Sequence, residues 1–428
     1  MTGQPVWGVR RSADAAPRIV FVSISNDIGG ERVVAEMASN GVECGIISPK
    51  GFNCTLLKCI SRHWPIPNHY GVRFGTLFIK GCLSQVVQEW FPDLILPLDD
   101  TSAWLLRSLA TDRSVSVALR DRLEMSLGEP SSYPAAICRL EFMNAAQALN
   151  LRKPHHCEVT SRESAFATAE EWGYPLVIKA EHTSGGAGIA IVRNAQDLSD
   201  RLRWDFGKWF RQTVKTQIYN LAGFHDAGRA TVMLQSYVPG TPAFRNVAAW
   251  KGQILTGVSF IAEQVHPEPT GASTVIRQIE NVEMDQAASR ITAALGFSGF
   301  VSYDFIVDRD SGAAWLIEVN SRCTGSTHLG RLWDLDVCGA LSALLKGTST
   351  TPLPSLIRPA AVALFPKELE RDPESFYVRS PAVYHDVPVD EPHLLSAYRR
   401  RLEKVDPRFG EGLAWHHLST ARSRLQQG

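Results

Sequence analysis

Three short stretches of this 428-residue chain carry the side chains best suited to chemistry. In Gly299–Asp308 (GFVSYDFIVD) an aspartate, Asp304, interrupts an otherwise apolar strand pattern. After an Asp310-Ser311-Gly312 turn, Trp315–Asn320 (WLIEVN) returns and runs into Ser321-Arg322. Strand side chains alternate faces, so Glu318 and Asn320 share one face and Asp304 can lie opposite on the paired strand. Two carboxylates and an amide oxygen form a donor set for Mg²⁺, a hard cation that prefers oxygen ligands, with Mn²⁺ as the alternative ion. A carboxylate inside an apolar strand is costly unless it is paired or holds a metal. The alternative is an edge hairpin with both acids in water, and the arginine that follows at once argues against it.

The second stretch, Tyr174–Ala180 (YPLVIKA), is a strand carrying Lys179 near its end. It enters Glu181-His182-Thr183-Ser184-Gly185-Gly186-Ala187-Gly188, and Ile189–Val192 is again a strand. A phosphate loop of the G-x-x-x-x-G-K-[ST] type would feed a helix, and no such string occurs. A glycine loop between two strands is either a plain hairpin or a flap whose backbone N–H groups close over phosphates, with Lys179 as a mobile cation. The third stretch, Met233–Gly240 (MLQSYVPG), is a strand ending in a Pro-Gly turn. Alone it reads as ordinary; its backbone could also meet the edge of an adenine.

The elements that must position these residues follow from pattern. Arg18–Ser25 is a buried strand, the segment through Val33, Val34, Met37 and Ala38 a helix, and Glu43–Ser48 a second strand. This β-α-β unit implies parallel strands. Asp93–Leu98 is a further strand, with Asp99-Asp100-Thr101 capping the next helix. Gly29-Gly30 lacks the G-x-G-x-x-G spacing of a dinucleotide site and reads as a tight turn. Residues 131–150 read as one helix with Ile137, Leu140, Phe142, Ala145 and Leu149 on its apolar face, and Thr160-x-x-Glu163 as a capping box for the next, which Gly173 closes.

Composition limits the partners. Lys plus Arg and Asp plus Glu each number 44, so the net charge is zero. That balance argues against general nucleic-acid or anionic-membrane binding. The interleaved Trp204, Trp209, Phe210 and basic residues 201–211 read as helix amphipathicity. No apolar run reaches the roughly 18 residues of a spanning helix, and residues 1–17 read as a disordered tail. Eight cysteines without a C-x-x-C pair point to reduced thiols and a cytoplasmic setting. Cys54, Cys59, His63 and His69 match no common zinc spacing.

Taken in order, these stretches resemble the ATP-grasp family over residues 130–345. The shared pattern is a helix with a basic residue (Arg139), P-x-x-x-K (Pro175 to Lys179), a glycine-rich flap (Ser184 to Gly188), a hinge strand ending in V-P-G (Gln235 to Gly240), then D…E-x-N-x-R (Asp304, Glu318, Asn320, Arg322). The resemblance implies an α/β chain. A doubly wound, Rossmann-like domain (18–127) would precede an ATP-grasp domain (128–345) of two α+β subdomains, a flap unit near 155–235 and a metal-site unit near 236–345. Residues 346–428 would be a C-terminal appendage.

It further implies that Arg139 and Lys179 bind ATP phosphates beneath Ser184, Gly185, Gly186 and Gly188. Gln235, Ser236, Tyr237 and Val238 would line the adenine, Asp304, Glu318 and Asn320 would hold one or two Mg²⁺, and Arg322 would bind the transferred phosphate or the acyl phosphate. Lys179 and Arg322 are the residues implied in catalysis. Three departures stand out: Cys138-Arg139 where an Asp-Lys pair is frequent, Gln-Ser in the hinge where an acid is frequent, and Thr241-Pro242 where a ribose-holding acid is frequent. The activity implied is an ATP-dependent ligase that makes an acyl phosphate from a small-molecule carboxylate and couples it to an amine. A phosphotransferase, a carboxylase or a nucleotide-binding regulator without turnover are alternatives, and a homodimer is left open. His328 or Arg331 are candidates for a substrate carboxylate, Arg277 reads as solvated, and His155-His156 as surface loop.

Overall fold

The computed structural model describes residues 15–68, 71–180, 188–203, 232–349, 358–407 and 409, with residues 71–77 as backbone only. Ser184, Gly185 and Gly186, and the basic-aromatic run from Trp204, lie outside the described residues.

Near the N-terminus, β1 (Arg18–Val22), β2 (Glu43–Ser48), β3 (Ile60–Pro65) and β4 (Leu94–Pro97) form a parallel sheet in the order β3-β2-β1-β4. The apolar run of β1 is buried on both faces, as parallel sheets require. The strand order reverses beside β1, between β2 and β4. In such sheets ligands settle beyond the carboxyl ends of the strands at that point. Here those ends are Ser25-Asn26-Asp27 and Asp100-Thr101, and all five residues line the main cleft.

A small antiparallel sheet follows, in the order β5 (His156–Glu158), β8 (Val232–Ser236), β6 (Leu176–Ala180), β7 (Ile189–Val192). Register Lys179↔Ile189 makes β6 and β7 a hairpin whose connection is the glycine-rich loop. His156 thus opens strand β5 rather than a surface loop, pairing across to Gln235. The cap of the next helix, Arg162–Trp172, is one residue later than expected. Ser161 and Ser164 form the capping box, because the Ser161 side chain reaches the Ser164 N–H.

The largest sheet has seven strands in the order β13 (Ala314–Asn320), β12 (Gly299–Val307), β9 (Thr241–Trp250), β10 (Gln253–His266), β11 (Ala272–Ile279), β14 (Ala361–Ala363), β15 (Val383–His385). The last two strands come from the C-terminal segment and pair in parallel. That segment's helix Pro392–Glu403 packs Leu394, Tyr398 and Leu402 into one core with Phe21 and Met37 of the N-terminal sheet and Phe260 and Val362 of the large one. Tyr398 Oη also donates to buried Glu31. Three parts of the chain therefore share one interior.

The expected single helix over 131–150 is broken. Tyr133–Ile137 ends at Cys138, which is extended (φ −122°, ψ 121°), and Arg139–Ala148 begins anew. The buried face is Phe142, Met143 and Ala146, with Ile137, Leu140, Ala145 and Leu149 only partly covered. The break makes Arg139 the first residue of a helix, where its side chain can turn into the cleft.

A shared core should unfold as a unit. Leu394→Ala, at a fully buried site, is expected to cost about 2–5 kcal/mol. Urea unfolding followed by tryptophan fluorescence and by far-UV circular dichroism should still give coincident transitions, and two separated transitions would contradict the shared core.

Candidate active site

The three sheets surround a cleft of about 1220 Å³. Its acidic centre lies on β12 and β13. Asp304 stands directly across from Glu318, and Ser302 across from Asn320. The register slips between Asp304 and Phe305, since Phe305 pairs with Leu316 and Ile317 is left as a bulge. The slip decides which face the acids occupy. Leu316 is buried in the core beneath the sheet. Strict alternation would send Glu318 to the same side, and the extra residue turns Glu318 and Asn320 to the cleft instead. The bulge also leaves the Ile317 carbonyl free to accept from Lys179 Nζ at 3.2 Å.

Around the acids the polar contacts are dense. Arg139 reaches Glu318 Oε1 through Nε (3.0 Å) and Nη2 (2.9 Å), and its Nη1 donates to Ala180 O at 2.7 Å. Asn320 Nδ2 donates to Asp304 Oδ2 at 3.0 Å. No described residue donates to Asp304 Oδ1 or Glu318 Oε2. Burial, and after it the Glu318 charge, push the Asp304 carboxyl up to about 7. Lys179 is buried at 3% exposure.

Arg322 is held from the N-terminal unit. Its Nε and Nη2 grip Asp100 Oδ1 and Oδ2 at 2.6 and 2.8 Å, a bidentate pair. Its Nη2 also approaches Asn320 Oδ1 at 3.4 Å. Burial works against the guanidinium charge, but Asp100 outweighs it and holds Arg322 above its usual range. Burial likewise works against the Asp100 charge, and Arg322 outweighs it there, keeping the carboxyl low.

Asp100 is placed by its neighbour. Asp99 caps helix Asp100–Thr111, accepting from Ser102 N, and also takes the Ile24 and Ser25 N–H groups at 2.7 and 3.0 Å. From the same helix Arg107 donates to Ser321 O at 3.4 Å, while Ser321 Oγ donates to Ala136 O at 2.8 Å. The turn that presents Arg322 is thus clamped on two sides.

At the other end, Pro154, Val177, Ile189, Ile191, Tyr237 and Ile306 give the cleft an apolar lining. Gln235 is buried at 2% exposure, and its Nε2 has no hydrogen-bond partner among the described residues. Ser236 also lines the cleft; its Oγ accepts the His155 N–H at 3.0 Å, and its own N–H donates to His155 O. Val238 lines the cleft, and Gly188 supplies a carbonyl to Ala180 N at 2.9 Å.

Several candidates fall elsewhere. His328 is buried and bonds Asp386 Oδ1 at 3.1 Å, where Arg32 also arrives at 3.3 Å. Arg331 pairs with Glu36 at 3.3 Å. Neither lines the cleft; both tie the segment after Arg322 to the N-terminal helix Gly30–Ser39 and the C-terminal segment. Arg277 is half exposed and pairs with Glu263 at 2.7 Å. Conversely, Asp27 and Lys367 line the cleft although nothing in their local sequence marks them. Only the parallel-sheet rule, which points to the end of β1, could have found Asp27. Lys367 arrives from some 45 residues beyond the arginine it joins, and no local pattern announces it.

The model of the carbamoyl-phosphate synthase L chain ATP-binding domain matches residues 139–209. The chain is 25% identical over 201 residues to the carbamoyl phosphate synthase large chain of Vibrio cholerae, covering 45% of this chain and 17% of that one. It is 24% identical over 202 residues to the D-alanine–D-alanine ligase of Pseudomonas entomophila, covering 44% of this chain and 54% of the ligase. The match thus spans about half of that ligase and a sixth of the synthase chain. The biotin carboxylase domain of the 2-oxoglutarate carboxylase from Hydrogenobacter thermophilus, solved with MgADP and bicarbonate, superposes with a TM-score of 0.57 at 15% identity, covering 80% of this chain and 73% of that one.

The raised Asp304 carboxyl has a measurable consequence. Its ordinary value is 3.8 and its folded value about 7, so the folded chain binds the extra proton. That contribution to stability is complete below the ordinary value and lost as pH rises through the folded one. In EDTA, Tm should fall between about pH 5 and about pH 8 more steeply for the native chain than for Asp304→Asn, which should be the more stable at the upper end. Superimposable profiles would refute the assignment.

Proposed function

We propose that this chain, which has the ATP-grasp fold, is an ATP-dependent ligase. It would transfer the γ-phosphoryl group of ATP to a small-molecule carboxylate and couple the resulting acyl phosphate to an amine, releasing ADP and phosphate. The observation that carries this reading is the meeting in one cleft of Lys179, the Asp304/Glu318/Asn320 oxygens and Arg322, each supplied by a separate element and none explained by packing. The likeness to D-alanine–D-alanine ligase supports a carboxylate and an amine as the substrates.

The nucleotide would lie between the two antiparallel sheets. The apolar residues near Val177 and Ile306 suit a purine face. The unpaired Gln235 Nε2 would find a ring-nitrogen acceptor, relieving a buried donor that otherwise costs about 1–3 kcal/mol. Lys179 and Arg139 would meet the phosphates. Both are preorganised: the Ile317 carbonyl fixes one, and Glu318 with Ala180 O fixes the other.

The donor set fits a hard divalent cation. Asp304 Oδ1 and Glu318 Oε2 receive no hydrogen bond from a described residue, and the two carboxylates face each other at a cost that a cation would remove. When bound, Mg²⁺ would neutralise the charge of the transferring phosphoryl oxygens. Asp304, Glu318 and Asn320 would hold it. Arg322 would then sit beside the acyl carboxylate and the departing phosphoryl, its guanidinium locked by Asp100 so that little reorganisation is needed. In the second step the amine nitrogen would attack the acyl carbon, the C–O bond to phosphate would break with its electron pair leaving on phosphate, and the nitrogen would lose a proton to solvent. Exclusion of water from the loaded cleft would protect the acyl phosphate from hydrolysis.

Purified protein with Mg-ATP should release ADP only when acid and nucleophile are both present, and mass spectrometry should find the two joined. A carboxylase would add only carbonate carbon. Glu318→Gln should lower ADP release on the order of 10²–10³-fold. Full turnover in that variant would overturn the assignment.

A further inference from the structure

One cation beside the cleft is buried without an acid to meet it. Arg107, on the helix Asp100–Thr111, is 2% exposed. It does not itself line the cleft, although Ala103 and Trp104 of the same helix do. Its Nη1 donates to Ala103 O at 3.1 Å, one turn back, and its Nη2 to Ser321 O at 3.4 Å. The guanidinium carbon lies 5.8 Å from the centre of the Tyr133 ring. Among the described residues, Nε has no partner and no carboxylate pairs with the guanidinium. Tyr133 is the titratable group that faces it, and that phenol stays neutral: its Oη donates to Gly128 O at 3.2 Å, and burial holds it well above its usual range.

A lone guanidinium in an interior is costly, and a neutral donor would serve the same carbonyl with less penalty. Burial lowers Arg107 to about 10. The acids on its own helix and just beyond it are engaged elsewhere, Asp100 with Arg322 and Asp112 with Lys80. The placement shows what the charge can do. Asp100 and Arg107 stand seven residues apart, so two turns of helix bring them to one face. They hold successive residues of the large sheet's end: Asp100 grips the Arg322 side chain, and Arg107 the Ser321 carbonyl. Ser321 Oγ donates in turn to Ala136 O, in the helix Tyr133–Ile137 whose first ring faces Arg107. Three segments therefore meet at this one side chain. Ser321 lines the cleft, so an anion bound there would face the Arg107 charge across a single residue and supply the countercharge that the protein leaves out.

We propose that Arg107 is a positioning residue for the γ-phosphoryl group: its uncompensated charge holds the Ser321 carbonyl and so fixes the turn that aims Arg322 into the cleft. The inference rests on the ligase reading for the group that Arg322 meets, but it concerns binding and does not need turnover. Other cations of the cleft have anchors of their own, Arg139 on Glu318 and Ala180 O, and Lys179 on Ile317 O. Loss of Arg107 should therefore leave the rest of the nucleotide held.

Calorimetry with Mg²⁺ and either ADP or adenylyl imidodiphosphate, a non-hydrolysable ATP analogue, isolates the γ-phosphoryl contribution as a ratio of affinities. In the native chain the analogue should bind about thirtyfold more tightly than ADP, as a charge-assisted contact allows. Arg107→Met should bring the two affinities within about threefold, while Kd for Mg-ADP moves less than about twofold. Arg107→Lys keeps the charge on a group that burial can deprotonate, whereas arginine stays charged. Its ratio should match the native one near pH 6 and fall to the Arg107→Met value by about pH 9, as a buried lysine loses its proton. The native chain at each pH is the reference for titration of the phosphates and of Asp304. Circular dichroism checks the fold of each variant, and should Arg107→Met fail to fold, the lysine titration makes the comparison within one protein.

Loss of affinity for both nucleotides alike would mark a packing role and overturn the inference. So would a ratio in Arg107→Lys that tracks the native chain from about pH 6 to about pH 9, or a native ratio below about threefold. The ligase reading fails separately. No ADP release by the native chain with any acid and amine, beside a ratio that depends on Arg107, would sink that reading and leave this inference standing. ADP release beside a ratio indifferent to Arg107 would do the reverse.

Discussion

The arrangement turns on two carboxylates, Asp304 and Glu318, placed opposite each other on neighbouring strands. Like charges at directly opposed positions of an antiparallel pair repel, and low dielectric sharpens the repulsion. Nothing about folding requires them there; two apolar residues would be easier to bury. Much of the local architecture can be understood as the means of tolerating them. Arg139 is turned inward by a helix break at Cys138 and meets Glu318. Asn320 donates to Asp304. Lys179 is brought within electrostatic reach at the end of β6 and is anchored on the very carbonyl that the Ile317 bulge sets free. These contacts satisfy one oxygen of each acid and leave the other open. Incomplete satisfaction of a buried pair is what a fold would be expected to avoid unless a ligand completes it.

Arg322 extends the same logic across the chain. It follows Glu318 by four residues, and its countercharge comes from the N-terminal unit rather than from its own neighbourhood. Asp100 can serve because Asp99 binds both the start of its helix and the end of β1, fixing the carboxyl end of the parallel sheet against the end of β13. Close backbone contact supports the join. Gly29, at φ 109°, approaches Gly325 so closely that a Cβ on Gly29 would stand 2.3 Å from the Gly325 Cα. Glycine is needed at position 29 both for its conformation and for its lack of bulk. The adjacent Gly29-Gly30 pair, which reads in sequence as a tight turn, is thus also the contact that lets the loop beyond Arg322 lie against the N-terminal unit.

What the sequence made legible was local. Asp304, Glu318, Asn320 and Arg322 stood out because charged residues in apolar strand patterns are costly, and Lys179 because it ends a strand before a glycine loop. The parallel sheet around β1 followed from a β-α-β pattern of apolar runs. What stayed hidden depended on geometry between distant segments. Strict alternation would have placed Leu316 and Glu318 on one face, and only a bulge, which has no sequence signal here, separates them. The break at Cys138 carries neither Pro nor Gly to announce it. His328 and Arg331 looked like pocket residues because they follow Arg322 closely. The 3₁₀ turn Thr327–Trp333 carries them instead to Asp386 and Glu36, on the side away from the cleft. Asp100 was visible as a helix-start residue, but its partner, more than 200 residues on, was not.

The C-terminal segment shows how far such long-range placement extends. Its polar contacts divide into two kinds. Asp386, Glu368, Glu370 and Tyr398 are consumed by bonds to Arg32, Arg371, Arg401 and Glu31, and the apolar side chains among them join the common core. These contacts fix the position of the short helix Lys367–Arg371, whose first residue lines the cleft. A fold can hold an unsatisfied charge only where the surrounding structure over-determines it. The acidic centre is such a case: Asp304 and Glu318 each keep one oxygen without a hydrogen bond from any described residue, while Arg139, Asn320 and Lys179 hold the strand ends that carry them.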